Sequence, residues 1–206
     1  MHKIPTVMVD LDDTLVSFSE MFCDRWNRYI SQMAQYIPFY DRHKTLTLND
    51  ITEYNFLESL KKLYKYNNTV EHHFNKCVEE LFADENLYDN PYLTPEFYRI
   101  INLLQTDFKN YKKVLNTKVS TPEMMISKAK LFKNNVYFQL FDEIIVDMEK
   151  GMNHSPKPTH YDVMIDDAPT NIKNYLEMNH NGIVYMPVRK FNEYILDWEC
   201  DRVRPL

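Results

Sequence analysis

Two groups of aspartates in the sequence follow short apolar runs. Asp10 and Asp12 belong to the string DLDDT after PTVMV, and Asp166 and Asp167 follow YDVMI. Carboxylates that lie close together repel one another unless a cation joins them, and Mg²⁺ prefers such oxygen ligands. The two groups therefore predict a divalent-metal site, provided that the fold brings them to one place.

Other interpretations of these strings were weighed against a metal site. Asp and Thr are common in turns and helix caps, so each string taken alone could be a structural loop. An EF-hand calcium loop does not fit, since Leu15 stands at its glycine position and Met21 at its bidentate acid. Gly-rich phosphate loops are excluded because the chain has only 2 glycines, Gly151 and Gly182. Two acidic strand ends in one chain favour the metal site over simple caps.

The elements that must position the aspartates alternate between strands and helices. Five short apolar runs are typical of buried parallel strands, namely Pro5–Asp10, Tyr111–Thr117, Phe141–Asp147, Tyr161–Asp166 and Gly182–Met186. Glu123–Lys133 and Ala168–Met178 have the apolar spacing of helices. The pattern predicts an α/β fold, with a Rossmann-like parallel sheet flanked by helices. Ligands of such sheets bind beyond the carboxyl ends of the strands, so we expect the carboxyl groups of both strings to converge there.

A long segment separates the first strand from the second. Apolar residues at helical spacing predict three helices in it, over residues 21–37, Asn55–Tyr66 and Val70–Phe82. A whole strand–helix–strand unit needs only about 30 residues, so the segment is too long for one crossover helix. We therefore predict an inserted helical cap over residues 17–91 and an α/β core over residues 1–16 and 92–206.

Composition limits the partners and the compartment. The net charge of −6 gives no reason to expect a nucleic-acid polymer, which needs clustered Lys and Arg. Three widely spaced cysteines without a C-x-x-C pair fit a reducing compartment. No apolar run reaches the roughly 18 residues of a membrane span, and no signal peptide is recognisable. We expect a cytoplasmic protein without a membrane partner, and an oligomer remains open.

Four strings together resemble the motifs of the haloacid dehalogenase-like (HAD) superfamily. They are DLDDT after the first strand, Thr117 at the end of the second, Lys157 before the fourth, and IDD after it. The resemblance covers residues 4–16 and 92–190, and it implies a cap that closes over the site. The position of the cap and the string YDVMIDDAPTNI look like the 5'(3')-deoxyribonucleotidases.

The resemblance implies a Mg²⁺-dependent phosphomonoesterase for nucleoside monophosphates. Asp10 would be the nucleophile that takes the phosphoryl group, and Asp12 would protonate the leaving oxygen and then activate water. Thr117 would donate to a phosphoryl oxygen, and Lys157 would offset the charge of phosphate and nucleophile.

The implied metal ligands are the carboxylate of Asp10, the backbone carbonyl of Asp12, and Asp166 or Asp167.

The chain departs from the family pattern at the residue after Thr117, and it offers two lysines for the third motif. Related nucleotidases commonly carry a small hydroxyl residue after the Thr of the second motif, but this chain has Lys118 there and its next hydroxyls at Ser120 and Thr121. Either the phosphate pocket is rearranged, or it uses Lys118 as an additional cation that binds substrate. Lys150 is the alternative to Lys157, which we prefer because its spacing before IDD is the usual one.

The sequence leaves more than one class of substrate open. A large cap favours a small substrate that can be enclosed. Aromatic residues of the cap could stack a nucleobase, or they could form its core; they are Phe18, Phe22, Trp26, Tyr29, Phe39 and Tyr40. The remaining interpretations are a phosphatase for another small phosphorylated metabolite and a catalytically idle HAD-like binding module.

Overall fold

The computed structural model describes residues 4–33, 45–64, 67–148, 160–197 and 201–206. Its centre is a sheet of six parallel strands: β1 (Thr6–Val9), β2 (Lys112–Val119), β3 (Glu143–Met148), β4 (Val163–Ile165), β5 (Ile183–Met186) and β6 (Val203–Pro205). The five predicted strands are all present, and the predicted α/β fold is confirmed. The sequence analysis did not predict β6, which is a short edge strand.

The strand order places a crossover at the centre of the sheet. The order is β3-β2-β1-β4-β5-β6, so the chain moves outward from β1 to β3 and then returns to the other side of β1. Val9 in β1 pairs with Leu115 in β2 and with Ile165 in β4. Ligands of open parallel sheets bind at such a switch point, beyond the carboxyl ends of the strands. Asp10 and Asp166 leave β1 and β4 at this point and at the same level.

Three helices accompany the sheet, and their apolar sides cover its two faces. They are α4 (Phe97–Gln105), α5 (Pro122–Asn134) and α6 (Pro169–Met178). Helices α1 to α3 come earlier in the chain and are described in the next paragraph. Side chains alternate between the faces along each strand. Val9 accordingly packs in one apolar cluster with Phe97 of α4, and Met8 packs in another with Ile172 of α6.

The segment between β1 and β2 is largely helical. It contains α1 (Phe18–Met33), a 3₁₀ turn (Leu48–Asp50), α2 (Phe56–Tyr64) and α3 (Asn67–Phe82). These helices share an apolar cluster, which includes Phe22, Trp26 and Phe74 and takes in Phe191 from the loop after β5. An inserted set of cap helices is thus present, whereas the exact boundaries at residues 17 and 91 stay a prediction. No helix of the described residues is long and apolar enough to cross a membrane.

Candidate active site

Three buried carboxylates meet beyond the carboxyl ends of β1 and β4. Asp10, Asp166 and Asp167 each offer an oxygen, and these oxygens lie within 4.8 Å of one another. Burial, together with the charges of Asp13 and Asp10, raises the pKa of Asp167 well above its ordinary value. The set of three carboxylates therefore fits a hard divalent cation, which would offset their charge.

Neighbouring side chains hold two of these carboxylates in place. The Asn171 amide donates to both oxygens of Asp166, at 3.2 and 3.1 Å, and the backbone N–H of Ala168 donates to Oδ1 at 2.9 Å. The Thr14 hydroxyl donates to Oδ1 of Asp167 at 3.0 Å. The DLDDT loop and the start of α6 thereby fix the direction of the carboxylates.

The sequence predicts that the carboxyl groups of Asp10, Asp12, Asp166 and Asp167 converge, but the Asp12 carboxylate is not part of the cluster. Its Oδ1 accepts a hydrogen bond from Tyr88 Oη at 2.5 Å, and its Oδ2 accepts from Lys128 Nζ at 2.5 Å and from Thr117 Oγ1 at 3.4 Å. The phenol and the ammonium group draw this carboxylate to the side of the cluster. The role implied for its backbone carbonyl as a metal ligand stays a prediction.

Lys128 in α5 is a site residue that the sequence analysis missed. Its side chain is fully buried, and Nζ also donates to Thr117 Oγ1 at 2.7 Å and to the carbonyl of Lys118 at 2.8 Å. One signal was available, because Met124 and Leu131 lie four residues before and three after Lys128 and both are buried. This spacing places Lys128 on the inward face of the helix.

The family resemblance implies a lysine that offsets the charge of phosphate and nucleophile, with Lys157 preferred over Lys150. Lys157 and its alternative Lys150 both lie outside the described residues. Their assignments stay predictions.

The Asp13 carboxylate bonds to α1 and is not part of the cluster formed by Asp10, Asp166 and Asp167. Asp13 has a positive φ of 55°, and its carboxylate accepts from the backbone N–H and the hydroxyl of Ser19, at 2.8 and 2.7 Å. Burial raises the pKa of Asp13 to about 6. These bonds join the DLDDT loop to the first turn of α1.

A cavity of about 390 Å³ lies between the carboxylates and the cap helices. Asp10, Asp12, Asp13 and Asp167 form its floor. Seven aromatic residues also line it: Phe18, Phe22, Tyr54, Phe56, Phe74, Phe82 and Phe191. We call this group the aromatic roof. A pocket of this size with a polar floor and an apolar roof suits one small ligand.

The predicted substrate-binding residues differ in their placement around the cavity. Lys118 lines the wall together with Ser120, whereas Thr117 is fully buried and its hydroxyl is bonded to Lys128 and Asp12. Thr121 Oγ1 caps α5 by accepting from the Met124 N–H.

Two of the predicted aromatic residues, Phe18 and Phe22, belong to the roof. Trp26 and Tyr29 are buried within the cap cluster instead. Phe39 and Tyr40 lie outside the described residues.

No family model matches the sequence, and no curated protein is significantly similar to it. Several solved structures do share its fold. A haloacid dehalogenase-like family hydrolase from Xanthomonas campestris has a TM-score of 0.58 at 14% identity, covering 100% of this chain and 91% of that chain. The fold is that of the HAD-like hydrolases.

Two further HAD-like structures agree. A HAD-superfamily hydrolase from Geobacter sulfurreducens has a TM-score of 0.55 at 16% identity, covering 94% of this chain and 95% of its own. A protein from Haemophilus somnus described as a predicted phosphoglycolate phosphatase has a TM-score of 0.54 at 13% identity, covering 99% and 95%. None of the three is described as a deoxyribonucleotidase, so the likeness supports the HAD-like fold and not the finer resemblance.

Proposed function

We propose that this HAD-like protein is a Mg²⁺-dependent phosphomonoesterase that forms an aspartyl-phosphate on Asp10. The observation that carries the proposal is the convergence of Asp10, Asp166 and Asp167 at the base of a cavity whose floor includes Asp10 and Asp167. Asp12 lies on the same floor, as the second carboxylate that a two-step phosphoryl transfer needs.

The proposed reaction has two displacements. A carboxylate oxygen of Asp10 attacks phosphorus, the bond from phosphorus to the ester oxygen breaks, and Asp12 gives a proton to that oxygen. Water then attacks the aspartyl-phosphate, Asp12 takes a proton from the water, and inorganic phosphate is released with Asp10 regenerated. Dividing one displacement into two lowers the barrier of each. Bound Mg²⁺ would offset the negative charge of the phosphoryl oxygens.

We assign the other polar residues by their positions. Lys118 lines the wall and would bind the phosphoryl oxygens, while Lys128 orients Asp12 through a direct ion pair. Thr117 and Lys157 keep the roles implied by the family resemblance. For Thr117, this requires its hydroxyl to donate to a phosphoryl oxygen instead of to Asp12, while it can still accept from Lys128.

A nucleoside monophosphate, and a deoxyribonucleotide in particular, is the substrate that we propose. The aromatic roof can cover a planar base, and stacking of aromatic rings contributes about 0.5–1.5 kcal/mol beyond apolar burial. A sugar phosphate fits less well, because its hydroxyl groups would lose water against an apolar surface without new hydrogen bonds.

Two other functions remain as outcomes of the tests. One is hydrolysis of a different small phosphorylated metabolite, which the same floor would carry out equally well. The other is a catalytically idle binding module, against which the complete set of acidic residues argues.

The Asp10→Asn variant tests the reaction. We expect its kcat to fall by at least about a thousandfold, because an amide cannot act as the nucleophile. Hydrolysis of p-nitrophenyl phosphate with Mg²⁺ and with EDTA is the measurement, and circular dichroism serves as the control for folding. Hydrolysis by Asp10→Asn at the wild-type rate would show that the phosphoenzyme does not form on this residue.

A substrate screen tests the finer proposal. dUMP, dTMP and other nucleotides are compared with sugar phosphates at equal concentration. We expect the highest kcat/KM for a deoxyribonucleotide. Strong phosphate release from sugar phosphates with none from nucleotides would overturn the nucleotidase assignment and leave the phosphatase assignment intact.

A further inference from the structure

The loop between β5 and the 3₁₀ turn Glu193–Asp197 contacts both acidic loops of the candidate site. This loop covers residues 187–192, and we call it the clamp loop. Arg189 Nη2 donates to the backbone carbonyl of Asp13 at 2.9 Å, and Asn192 Nδ2 donates to the backbone carbonyl of Asp167 at 2.8 Å. One short segment is therefore bonded to the DLDDT loop and to the loop after β4.

Two hydrogen bonds made by the Asn192 side chain fix the clamp loop internally. Asn192 Oδ1 accepts from the backbone N–H of Arg189 at 2.7 Å, and its Nδ2 also donates to the carbonyl of Pro187 at 3.0 Å. Asn192 is fully buried and uses both ends of its amide group. The two residues that reach the acidic loops therefore cannot move independently of each other.

Arg189 is anchored on its other side by a paired carboxylate. Its Nη1 and Nη2 donate to Oε1 and Oε2 of Glu96 at 3.1 and 2.9 Å, and the two side chains are only 21% and 16% exposed. Glu96 directly precedes α4, which packs against the sheet. A guanidinium group held on two oxygens has a defined plane, so its contact with Asp13 is directed as well.

The contact falls on a backbone position that needs support. Asp13 is the one non-glycine residue with a positive φ in the part of the chain that the structure describes. A positive φ is unfavourable for a residue with a side chain, and it persists only where its surroundings enforce it. Ser19 holds the carboxylate of Asp13, and Arg189 holds its carbonyl.

We propose that Arg189 is a positioning residue that sets the spacing between Asp10 and the Asp166–Asp167 pair, and thereby the affinity of the site for a divalent cation. The proposal rests on the proposed function, since it assigns a use to the same carboxylates. Arg189 acts through the backbone of Asp13, and Asn192 acts through the backbone of Asp167. Loss of the guanidinium contact would loosen the DLDDT loop relative to the loop after β4, because the bond from Thr14 to Asp167 would then join the two loops without support from Arg189.

The test compares Arg189→Lys with Arg202→Lys in the full chain. Arg202 is a matched control, because its guanidinium group also donates to backbone carbonyls, those of Leu176 at 2.8 Å and Asn179 at 3.3 Å. Binding of Mn²⁺ to the metal-free proteins is followed by electron paramagnetic resonance, and stability is followed by urea unfolding. Lysine keeps the charge but cannot bond to Glu96 in a bidentate manner and to Asp13 as well.

We expect Arg189→Lys to weaken Mn²⁺ binding about tenfold, as the loss of a residue that orients metal ligands does, while Arg202→Lys leaves it unchanged. Glu96→Gln should weaken binding in the same direction, and it keeps the test decisive if Arg189→Lys does not fold. Wild-type affinity in both Arg189→Lys and Glu96→Gln, an equal loss in Arg202→Lys, or no Mn²⁺ binding by the wild type would overturn the proposal.

The measurement is independent of hydrolysis. If Asp10→Asn retains activity while Arg189→Lys loses Mn²⁺ affinity, the proposed function fails and the positioning role stands.

Discussion

The floor and the roof of the cavity are held together by different forces. On the floor, directed hydrogen bonds fix the carboxylates of Asp167 and Asp12, through Thr14 and Lys128. Asn171 fixes the neighbouring carboxylate of Asp166 in the same way. The aromatic roof is held by ring contacts, such as Phe22 with Phe56 at 4.8 Å and Tyr54 with Phe191 at 5.6 Å between centroids.

Under the proposed function, the floor would hold the reacting groups and the roof would select the substrate. Hydrogen bonds fix both distance and direction, which phosphoryl transfer requires within a fraction of an ångström. Ring contacts fix proximity but tolerate a range of angles, so the roof can adapt to the shape of a substrate. Changes on the floor should therefore lower kcat, and changes on the roof should alter KM from one substrate to another.

After Asp10→Asn, the largest effect is expected for Asp12→Asn, also on the floor. We expect loss of general acid–base catalysis to lower kcat by about 10²- to 10⁴-fold. The amide oxygen can still accept from Lys128 Nζ, and the amide nitrogen can donate to Tyr88 Oη where the carboxylate accepted from it. With p-nitrophenyl phosphate the first step needs no proton for the leaving group. Rapid-quench kinetics should then show a burst of p-nitrophenolate followed by slow turnover.

Two outcomes would contradict this role of Asp12. One is an unchanged kcat, and the other is loss of the burst together with the steady state in a variant that circular dichroism shows to be folded.

A smaller effect is expected for Phe56→Ala in the roof. Phe56 packs against Phe22 and, at 6.1 Å between centroids, against Phe18. Losing one aromatic contact of about 0.5–1.5 kcal/mol should raise KM for a nucleotide roughly threefold to tenfold. The KM for a compact sugar phosphate should change less, and kcat should stay near that of the wild type.

Tyr98→Ala is the control for this change. Tyr98 is an aromatic residue of α4 that is 63% exposed and does not line the cavity. An equal rise of KM for both kinds of substrate in Phe56→Ala would show that the roof does not distinguish them.

The smallest effect is expected from His73 in α3, behind the roof. Burial, together with the charges of His72 and Lys76, lowers the pKa of His73 from its ordinary value of 6.5. Below pH 6.5 the unfolded chain therefore takes up this proton more readily than the folded chain, so His73 reduces stability as the pH falls. Above pH 6.5 both states are neutral and the contribution vanishes.

We expect urea unfolding to show a smaller loss of stability between pH 7.5 and pH 5 in His73→Gln than in the wild type. Gln can still form a hydrogen bond with Tyr29 Oη, the partner of His73 Nδ1 at 2.8 Å. Identical pH dependence in the two proteins would remove His73 from this account.

The sheet and the carboxylate cluster could be predicted because their signals are local. A short apolar run that ends in Asp10 marks both the strand and the side chain at its end, and the same holds for Asp166. Parallel pairing then brings such strand ends to one edge whatever lies between them. Helix α5 was likewise predicted to within one residue at each end, over Pro122–Asn134.

The supporting residues could not be predicted in the same way. A lysine within an amphipathic helix, such as Lys128, is usually on the solvent side, and its burial depends on the ion pair with Asp12. Tyr88 and Arg189 reach the site from loops whose paths are set by tertiary packing. Polar contacts between distant segments leave no periodic pattern in the sequence.

The central position of β1 has a consequence for synthesis of the chain. Its DLDDT loop is synthesised before the loop after β4, yet Thr14 bonds to Asp167, 153 positions later, and β1 pairs with β4 on one side. A growing chain on the ribosome therefore contains Asp10 and Asp12 long before the second acidic loop exists. Closing so long a loop is slow, and Asp167 is synthesised only 153 positions after Thr14. A nascent chain that ends before β4 therefore lacks Asp166 and Asp167, two of the three carboxylates of the cluster.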